Sequence, residues 1–218
     1  MKIIIFLGAP GAGKGTQSDL LVANNNFIKV STGDLLREVS VSGSSFGNKI
    51  KDIMQSGSLV SDEIVEKLLK DKLNEVNNSD ANIIFDGFPR TIAQAVILND
   101  MISNLEGNLD ISVLLLNIDA DSVVERIVGR YNCADCKENY HDKFKPTKVT
   151  GVCDICGSKN LVRRADDNRE TIVNRLKSFD DEIAPILKFY RNIGDVVEIF
   201  AGNHFDDVYK DITNRLEL

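Results

Sequence analysis

The sequence predicts an α/β protein with a doubly wound, parallel sheet of five strands, and three observations support this prediction. Short apolar runs rich in Ile, Val and Leu alternate along the chain with longer segments of helical periodicity. The apolar runs are continuous, which is typical of strands buried on both faces of a sheet. A glycine-rich loop directly follows the first run, as at the carboxyl end of a strand in such folds.

Each predicted strand is a short run of β-branched or other apolar residues. The strands are expected at residues 2–7, 27–30, 82–85, 113–118 and 196–200. Helices are expected between them at residues 14–24, 62–76, 91–105, 121–128 and 169–191. The last helix contains Pro185, where we expect a bend because proline cannot donate the helical hydrogen bond.

Two segments interrupt the alternation, and we interpret both as insertions mounted on one core. Residues 31–60, here called the helical insertion, are rich in Ser and Gly and contain short helical patterns without a strand. Residues 129–166, here called the cysteine insertion, have little helical pattern and contain all four cysteines. The predicted core therefore comprises residues 1–30, 61–128 and 167–218.

The strongest motif lies at residues 8–16, where Gly8, four further residues and then Gly13-Lys14 follow one another. This spacing is that of a phosphate-binding loop between a strand and a helix. Its glycines let backbone N–H groups converge on a phosphate, and the helix N-terminus adds positive charge. Lys14 is expected to reach the outer phosphates. Gly15 stands where a magnesium-binding hydroxyl is usual, and the hydroxyl comes one residue later, at Thr16.

A second cluster, from Asp86 to Arg90, follows the third predicted strand. Because Gly15 has no hydroxyl, Asp86 is the candidate to hold Mg²⁺, through the water molecules that this ion keeps. Gly87 and Pro89 are expected to fix the turn so that Arg90 is directed over the edge of the sheet. The alternatives are a helix cap for Asp86 and a solvated surface charge for Arg90.

Further arginines occur where the insertions join the core, and guanidinium groups match phosphate oxygens in bidentate geometry. They are Arg37, Arg126, Arg130, Arg163, Arg164 and Arg175. In an acidic protein this concentration indicates a clamp for a polyanion, and surface salt bridges are the alternative for Arg126 and Arg163. Asp166 and Asp167 either orient neighbouring arginines or cap the helix that begins near Asn168.

The cysteine insertion contains two Cys-x-x-Cys pairs, Cys133 with Cys136 and Cys153 with Cys156. Four thiolates complete a tetrahedral shell and leave no open position, so the pattern predicts a structural zinc site. Four unpaired thiols or two disulfides are the alternatives. His141 would be a spare ligand, and packing or exposure on the surface is the simpler role for it.

Charge and hydropathy argue against several classes of partner. The net charge of −7 argues against nucleic acid and anionic membranes, and the cysteine insertion itself mixes lysines with acidic residues. The longest apolar runs are too short to span a bilayer, and the N-terminal run is too short for a signal peptide. We therefore expect a cytoplasmic protein that acts as a monomer, with reduced cysteines unless a metal holds them.

Together these motifs resemble the adenylate kinase family, in particular its bacterial long-lid type with a zinc-bearing lid. The resemblance covers essentially the whole chain. It rests on residues 8–16, Ser31 to Asp34 with Arg37, Asp86 to Arg90 with Gln94, Arg126 to Arg130, and Arg164 to Asp167 with Arg175. Two places depart from the family: Lys145-Pro146-Thr147-Lys148 replaces Asn-Pro-Pro-Lys, and Phe200-Ala201 replaces Val-Asp.

By this resemblance, the helical insertion closes over AMP and the cysteine insertion closes over ATP. The residues expected to bind AMP are Thr32, Arg37, Ser58, Leu59, Val60, Gly87, Phe88, Arg90, Gln94, Arg164 and Arg175. The residues expected to bind ATP are Gly11, Ala12, Gly13, Lys14, Gly15, Thr16, Arg126, Arg130, Asn139, Tyr140 and His204. Gln94 suits an adenine edge because a primary amide donates and accepts at once.

The reaction that the resemblance implies is MgATP + AMP = 2 ADP. The attacking phosphate oxygen is already anionic near neutral pH, so no general base is needed. The residues expected to be catalytic align and neutralise phosphates, and zinc only stiffens the lid. These catalytic residues are Lys14, Asp86, Arg90, Arg130, Arg164 and Arg175.

Three other functions are compatible with parts of this sequence, and particular residues argue for or against each of them. The nearest alternative is another nucleoside monophosphate kinase, acting on UMP or CMP or using GTP as donor, and Gln94 favours the adenylate. A P-loop switch or ATPase needs a hydroxyl directly after Lys14, where this chain has Gly15. A zinc-ribbon binding module leaves the phosphate loop without a role.

Overall fold

The computed structural model describes residues 1–76 and 81–218 of the chain. The main sheet has five parallel strands in the order β2-β3-β1-β4-β8, which confirms the predicted fold class. These strands are β1 Lys2–Gly8, β2 Phe27–Ser31, β3 Asn82–Asp86, β4 Asp110–Asn117 and β8 Val196–Phe200. A separate antiparallel sheet in the order β6-β5-β7 consists of β5 Arg130–Cys133, β6 Asn139–His141 and β7 Leu161–Val162.

The helices of the described residues are α1 Lys14–Asn24, α2 Thr32–Ser40, α3 Ser45–Ser56, α4 Asp62–Val76, α5 Ile92–Ser103, α6 Ala120–Val128, α7 Arg169–Ile193 and α8 Phe205–Leu216. All the predicted helices are present. α7 continues through Pro185, where the expected bend stays a prediction. α8 has no predicted counterpart, although Val208, Ile212 and Leu216 are buried at four-residue spacing. Within residues 1–76 and 81–218, none of the helices has both the length and the apolarity that a membrane span requires.

The two faces of the main sheet carry separate hydrophobic cores, because successive side chains of a strand point to opposite sides. Ile3 and Ile5 of β1 face the larger core, which α4, α5 and α7 cover. Ile4 and Phe6 face the smaller core, which α1 and α8 cover. Since helices lie on both faces, ligand sites are expected in the crevice at the carboxyl ends of the strands.

The two insertions differ in how they attach to this core. α2 and α3 belong to the helical insertion, and its Leu36, Ile50 and Val60 are buried as part of the larger core. β5, β6 and β7 belong to the cysteine insertion, whose buried residues form a separate small cluster around Cys133 and Tyr140. The residue limits assigned to the insertions stay predictions.

Candidate functional site

A large cleft opens at the carboxyl ends of β1, β2 and β3, between the helical insertion and the cysteine insertion. Its volume is about 1340 Å³, which exceeds the roughly 300–1,000 Å³ of most small-ligand pockets. Every residue predicted to bind ATP or AMP lines this cleft, and so does every predicted catalytic residue. Motifs that are far apart in the sequence therefore face one space that is large enough for two ligands.

The glycine loop packs tightly against its neighbours. Gly8 has a φ of 145°, and a Cβ atom there would lie 2.7 Å from the carbonyl oxygen of Leu116. Gly11 has a φ of 80°, and a Cβ atom there would lie 2.9 Å from the side chain of Ile127. Any larger residue at either position would push the loop away from β4 or α6, so these glycines let the backbone itself line the cleft.

α1 begins without a side-chain cap, because its N-cap residue is Gly13. The N–H groups of residues 13–16 donate to no acceptor in the part of the chain that the structure describes. By contrast, side chains cap α2, α3, α5, α6, α7 and α8. Free N–H groups and the positive end of the helix dipole make the start of α1 suited to an anion.

Lys14 lies across the loop, where its Nζ donates to the carbonyl oxygens of Gly8 at 2.7 Å and Ala9 at 2.9 Å. Burial lowers the pKa of Lys14 to about 8 against the opposing effect of Asp86, and Arg90 and Arg130 lower it further. An anionic ligand in the cleft would raise this pKa again, because it favours the charged form of the lysine.

Asp86 ends β3 directly beside the loop, since a Cβ atom on Gly15 would lie 3.5 Å from Asp86 Oδ2. Within the described residues, its carboxylate accepts no hydrogen bond and has no cation within 4.0 Å. It does not cap the next helix, because Thr91 caps α5. A free carboxylate beside a phosphate loop fits Mg²⁺, which takes oxygen ligands and keeps several waters.

Two of the cleft arginines are paired with buried aspartates. Arg130 donates from Nε and Nη2 to the two carboxylate oxygens of Asp167, at 2.9 Å and 2.5 Å. Arg175 donates to Asp166. Asp166 and Asp167 therefore orient arginines, and the cap of α7 is Asn168, whose side chain accepts from the N–H of Thr171 at 3.0 Å. These pairs hold two guanidinium groups in fixed places at the edge of the cleft.

Arg90 and Arg164 have no carboxylate partner within 4.0 Å among the residues that the structure describes. Enclosure by the cleft walls lowers the pKa of Arg90 to about 10, and the charge of Arg175 adds to this. Burial likewise lowers the pKa of Arg164 to about 10, with Arg130 and Arg37 adding to the effect. These two cations therefore lie in a cleft whose charges repel them, and a polyanion would relieve that repulsion.

For the other arginines, the sequence left two roles open: a clamp for a polyanion or a surface salt bridge. Arg163 pairs with Asp142 at 2.8 and 2.9 Å on the surface, as the salt-bridge alternative expects. Arg126 has no ion pair within the described ranges, and its guanidinium lies 5.6 Å from the centroid of the Phe144 ring. Arg37 pairs with Asp34 at 2.5 Å, and this contact outweighs burial and lowers the pKa of Asp34 to about 2.

The wall of the cleft next to the helical insertion holds a buried amide. Gln94 is 2% exposed, its Oε1 accepts from the N–H of Arg90 at 2.8 Å, and its Nε2 donates to Asp62 Oδ1 at 2.6 Å. Val60 and Phe88 are buried and line the same cleft. Asp62 was not predicted as a site residue, because only a tertiary contact brings it to Gln94.

Three residues expected to bind ATP already have protein partners. Asn139 donates from Nδ2 to Asp19 Oδ2 at 2.8 Å, and His204 caps α8. The hydroxyl of Tyr140 lies inside the cysteine insertion, where it accepts from the N–H of Asp154 at 2.7 Å and lies 3.3 Å from Cys153 Sγ. All three residues line the cleft, and their contacts with ATP stay predictions.

The four cysteine sulfur atoms form a compact cluster. All lie within 4.8 Å of one another, with Cys133 and Cys156 at 3.6 Å and Cys136 and Cys153 at 3.5 Å. Four thiolates bound to zinc at about 2.3 Å would be about 3.8 Å apart, so the arrangement fits a tetrahedral metal site. No disulfide is present among these cysteines, which all remain free.

His141 is not part of this cluster. Its Nε2 lies 3.1 Å from the carbonyl oxygen of Glu125, and its Nδ1 accepts from the N–H groups of Lys143 and Phe144. The ring also lies against Gly129, where a Cβ atom would be 2.5 Å from it. His141 therefore packs at the point where the cysteine insertion leaves α6, which is the simpler role considered for it.

The fold and the cleft define a P-loop phosphotransferase of the nucleoside monophosphate kinase class, with a phosphate loop, facing arginines and two insertions around one cleft. The sequence profile of adenylate kinase matches residues 6–195. The chain belongs to the adenylate kinase family.

Similar proteins that bear the name adenylate kinase come from several bacteria. The protein of Rhizorhabdus wittichii is 49% identical over 191 residues, which cover 88% of each chain. That of Paracoccus denitrificans is 40% identical over 98% of this chain and 96% of its own length. That of Lactococcus lactis is 39% identical over 98% of this chain and 99% of its own length. The similarity therefore includes both insertions as well as the core.

Proposed function

We propose that this protein catalyses reversible phosphoryl transfer between MgATP and AMP, giving two ADP. One observation carries the proposal: the unpaired arginines Arg90 and Arg164 share a cleft with the uncapped phosphate loop. A cleft that contains uncompensated positive charge on several elements is suited to two phosphate chains. Membership of the adenylate kinase family supports the choice of ATP and AMP.

The chemical step needs alignment more than proton transfer. A phosphate oxygen of AMP forms a bond to the γ-phosphorus of ATP, and the bond from that phosphorus to the bridging oxygen breaks. The electron pair of the broken bond stays on the β-phosphate of the departing ADP. The attacking oxygen is already anionic near pH 7, because the second pKa of such a phosphate is about 6. No side chain therefore has to remove a proton.

The residues of the cleft supply charge at both ends of this transfer. The free N–H groups of residues 13–16 and Lys14 would hold the donor phosphates. Arg90 and Arg164 would neutralise the transferring group, and the fixed guanidinium groups of Arg130 and Arg175 would orient it. Charge stabilisation of this kind is the main contribution that a protein makes to phosphoryl transfer.

Asp86 would hold Mg²⁺ through water, since its carboxylate is free and lies beside Gly15. The bound ion would supply neutralisation of phosphate charge. The four cysteines would hold zinc, which supplies rigidity to the cysteine insertion because all four ligand positions are filled. Closure of both insertions would exclude water, which would otherwise hydrolyse ATP.

The remaining parts of the proposal concern partners and location. ATP, AMP and ADP are the proposed small-molecule partners, without nucleic acid or membrane, and the net charge of −7 supports this. We further propose a cytoplasmic monomer, in keeping with four free cysteines. Light scattering of the eluted protein on a sizing column tests the monomer directly.

The first experiment is ³¹P NMR of the protein with Mg²⁺ and ADP alone. The proposal expects ATP and AMP in equal amounts without inorganic phosphate. Lys14→Met is expected to slow the reaction at least about 1000-fold, since it removes a charge from the transition state. Lys67→Met is the matched control, because Lys67 is exposed on α4 and outside the cleft. Persistent ADP would contradict the proposal and direct attention to UMP, CMP or GMP as acceptors, or GTP as donor.

A further inference from the structure

Gln94 is held from two sides by groups of opposite character. On one side the backbone N–H of Arg90 donates to Oε1 at 2.8 Å, and on the other Nε2 donates to Asp62 Oδ1 at 2.6 Å. A backbone N–H can only donate, and a carboxylate can only accept. Rotation of the amide by 180° would place two donors together and two acceptors together. In a side chain that is 2% exposed, neither conflict could be relieved by water.

Asp62 is the side chain that completes this arrangement. It lies in the first turn of α4, directly after the helical insertion, and it has no ion pair among the described residues. Gln94 lies in the first turn of α5, where Thr91 caps the helix and fixes the backbone of Gln94. The backbone positions and the two hydrogen bonds therefore leave the amide one orientation.

After these bonds, the Gln94 amide retains one N–H and one oxygen lone pair, and Gln94 lines the cleft. The Watson–Crick edge of adenine offers an acceptor at N1 beside a donor at N6. The 6-oxopurines, guanine and hypoxanthine, offer a donor at N1 beside an acceptor at O6. One orientation of an amide suits adenine, and the opposite orientation suits the 6-oxopurines. An amide free to rotate would accept both kinds of base.

We propose that Asp62 is a positioning residue that sets purine specificity at the acceptor site, by locking Gln94 in the orientation that pairs with adenine. This inference rests on the proposed function, in which AMP is the acceptor. Asp62 does not touch the nucleotide in this account. Its effect is on which base is accepted, rather than on the phosphoryl transfer itself.

The test compares AMP with IMP as acceptors for Asp62→Asn. Asn has almost the same size, and its amide can donate or accept, so rotation of Gln94 no longer places two acceptors together on this side, and only the conflict with the Arg90 N–H remains. We expect kcat/KM for IMP to rise at least about tenfold relative to AMP, since one unpaired buried polar group accounts for roughly that factor. Glu63→Gln is the matched control: it removes an exposed carboxylate one residue along α4 and leaves Gln94 untouched.

The possible outcomes separate this proposal from the function on which it rests. If the wild-type protein phosphorylates AMP and Asp62→Asn leaves the AMP-to-IMP ratio unchanged, Asp62 has only a structural role and the inference is overturned. If the wild-type protein does not phosphorylate AMP, the proposed function fails first and the inference fails with it. Should Asp62→Asn not fold, Asp62→Ser gives the same comparison, because a hydroxyl also donates and accepts.

Discussion

The two insertions around the cleft are stabilised in different ways. The helical insertion shares the hydrophobic core of the sheet, where Leu36, Ile50 and Val60 are buried. It is also tied to α7, since Thr171 and Asn174 donate to backbone carbonyls at the end of α3. The cysteine insertion has a small core of its own, and two of the cysteines around it, Cys136 and Cys156, are exposed.

The difference shows how a short segment can fold at a distance from the main core. Small units bury too little apolar surface to offset the conformational entropy lost on folding, and a metal site is one common compensation. The cysteine insertion has four clustered sulfur atoms, the proposed zinc ligands, where the helical insertion has buried aliphatic side chains. Stability of the helical insertion should therefore follow that of the whole domain, whereas stability of the cysteine insertion should follow metal occupancy.

Removal of the proposed zinc ion is the change with the largest expected effect. Chelation should unfold the cysteine insertion locally, because binding of a structural zinc site can contribute about 10 kcal/mol or more to folding. Hydrogen exchange should accelerate at least about 1000-fold in residues 129–166 and little in residues 31–60. Equal acceleration of hydrogen exchange in both insertions would contradict the view that they are stabilised in different ways. An unchanged exchange rate in both insertions would contradict it as well.

Ile50→Ala tests the other side of the comparison. Ile50 is 1% exposed and belongs to the larger core, so its truncation should lower the free energy of unfolding of the whole domain by about 2–5 kcal/mol. Ile155→Ala is the matched control, because Ile155 lies in the cysteine insertion and is 69% exposed. Urea denaturation should show one shifted transition for the first variant and almost none for the second. Melting of residues 31–60 ahead of the sheet would argue against a shared core.

Lys14 tests the stability of the core domain, to which both insertions are joined. The pKa of Lys14 is lowered from 10.5 to about 8 in the folded, ligand-free protein. Between these values the unfolded chain binds the extra proton, so stability should rise with pH, by at most about 1.4 kcal/mol per pH unit. Urea denaturation at several pH values measures this slope, which Lys14→Met should remove and Lys67→Met should keep. An unchanged slope in Lys14→Met would show that other groups are responsible.

The smallest expected effect comes from the residue that directly follows each Cys-x-x-Cys pair, because this residue differs between the two pairs. Lys137 and Gly157 follow the two Cys-x-x-Cys pairs with φ of 67° and 73°, in the left-handed region. Only glycine adopts this region without strain, so Lys137→Gly should stabilise the cysteine insertion by about 1 kcal/mol. Competition with a chelator should then show about fivefold tighter metal binding. Gly157→Ala is the converse variant and should weaken binding by a similar factor.

Features that depend on local sequence could be predicted, and those that depend on distant contacts could not. The strands, the glycine loop and the Cys-x-x-Cys spacing each have a short-range signal, and the structure shows the elements and the sulfur cluster where they were expected. β5, β6 and β7 are two to four residues long and too short for a periodic pattern. The four-residue spacing of Val208, Ile212 and Leu216 in α8 is a short-range signal of the same kind.

The hydrogen-bond and ion-pair partners of the site residues depend on distant contacts and could not be predicted. That Asp166 pairs with Arg175 and Asp167 with Arg130 was one of two alternatives left open, because charge alone does not tell a cap from an ion pair. The contact between Asp62 and Gln94 joins residues 32 positions apart on different helices. Such pairs can be identified only from the tertiary structure, because packing of the core sets the positions of the helix N-termini.

The uncapped start of α1 has a practical consequence for handling the protein. Free N–H groups at the start of a helix suit tetrahedral anions in general, and phosphate or sulfate in a buffer offers the same oxygens as a nucleotide. If the loop binds the phosphates of ATP as proposed, such ions should compete with ATP, and the apparent KM for ATP should depend on the anion of the buffer. Kinetic constants of this protein should therefore be compared only between buffers that contain the same anion.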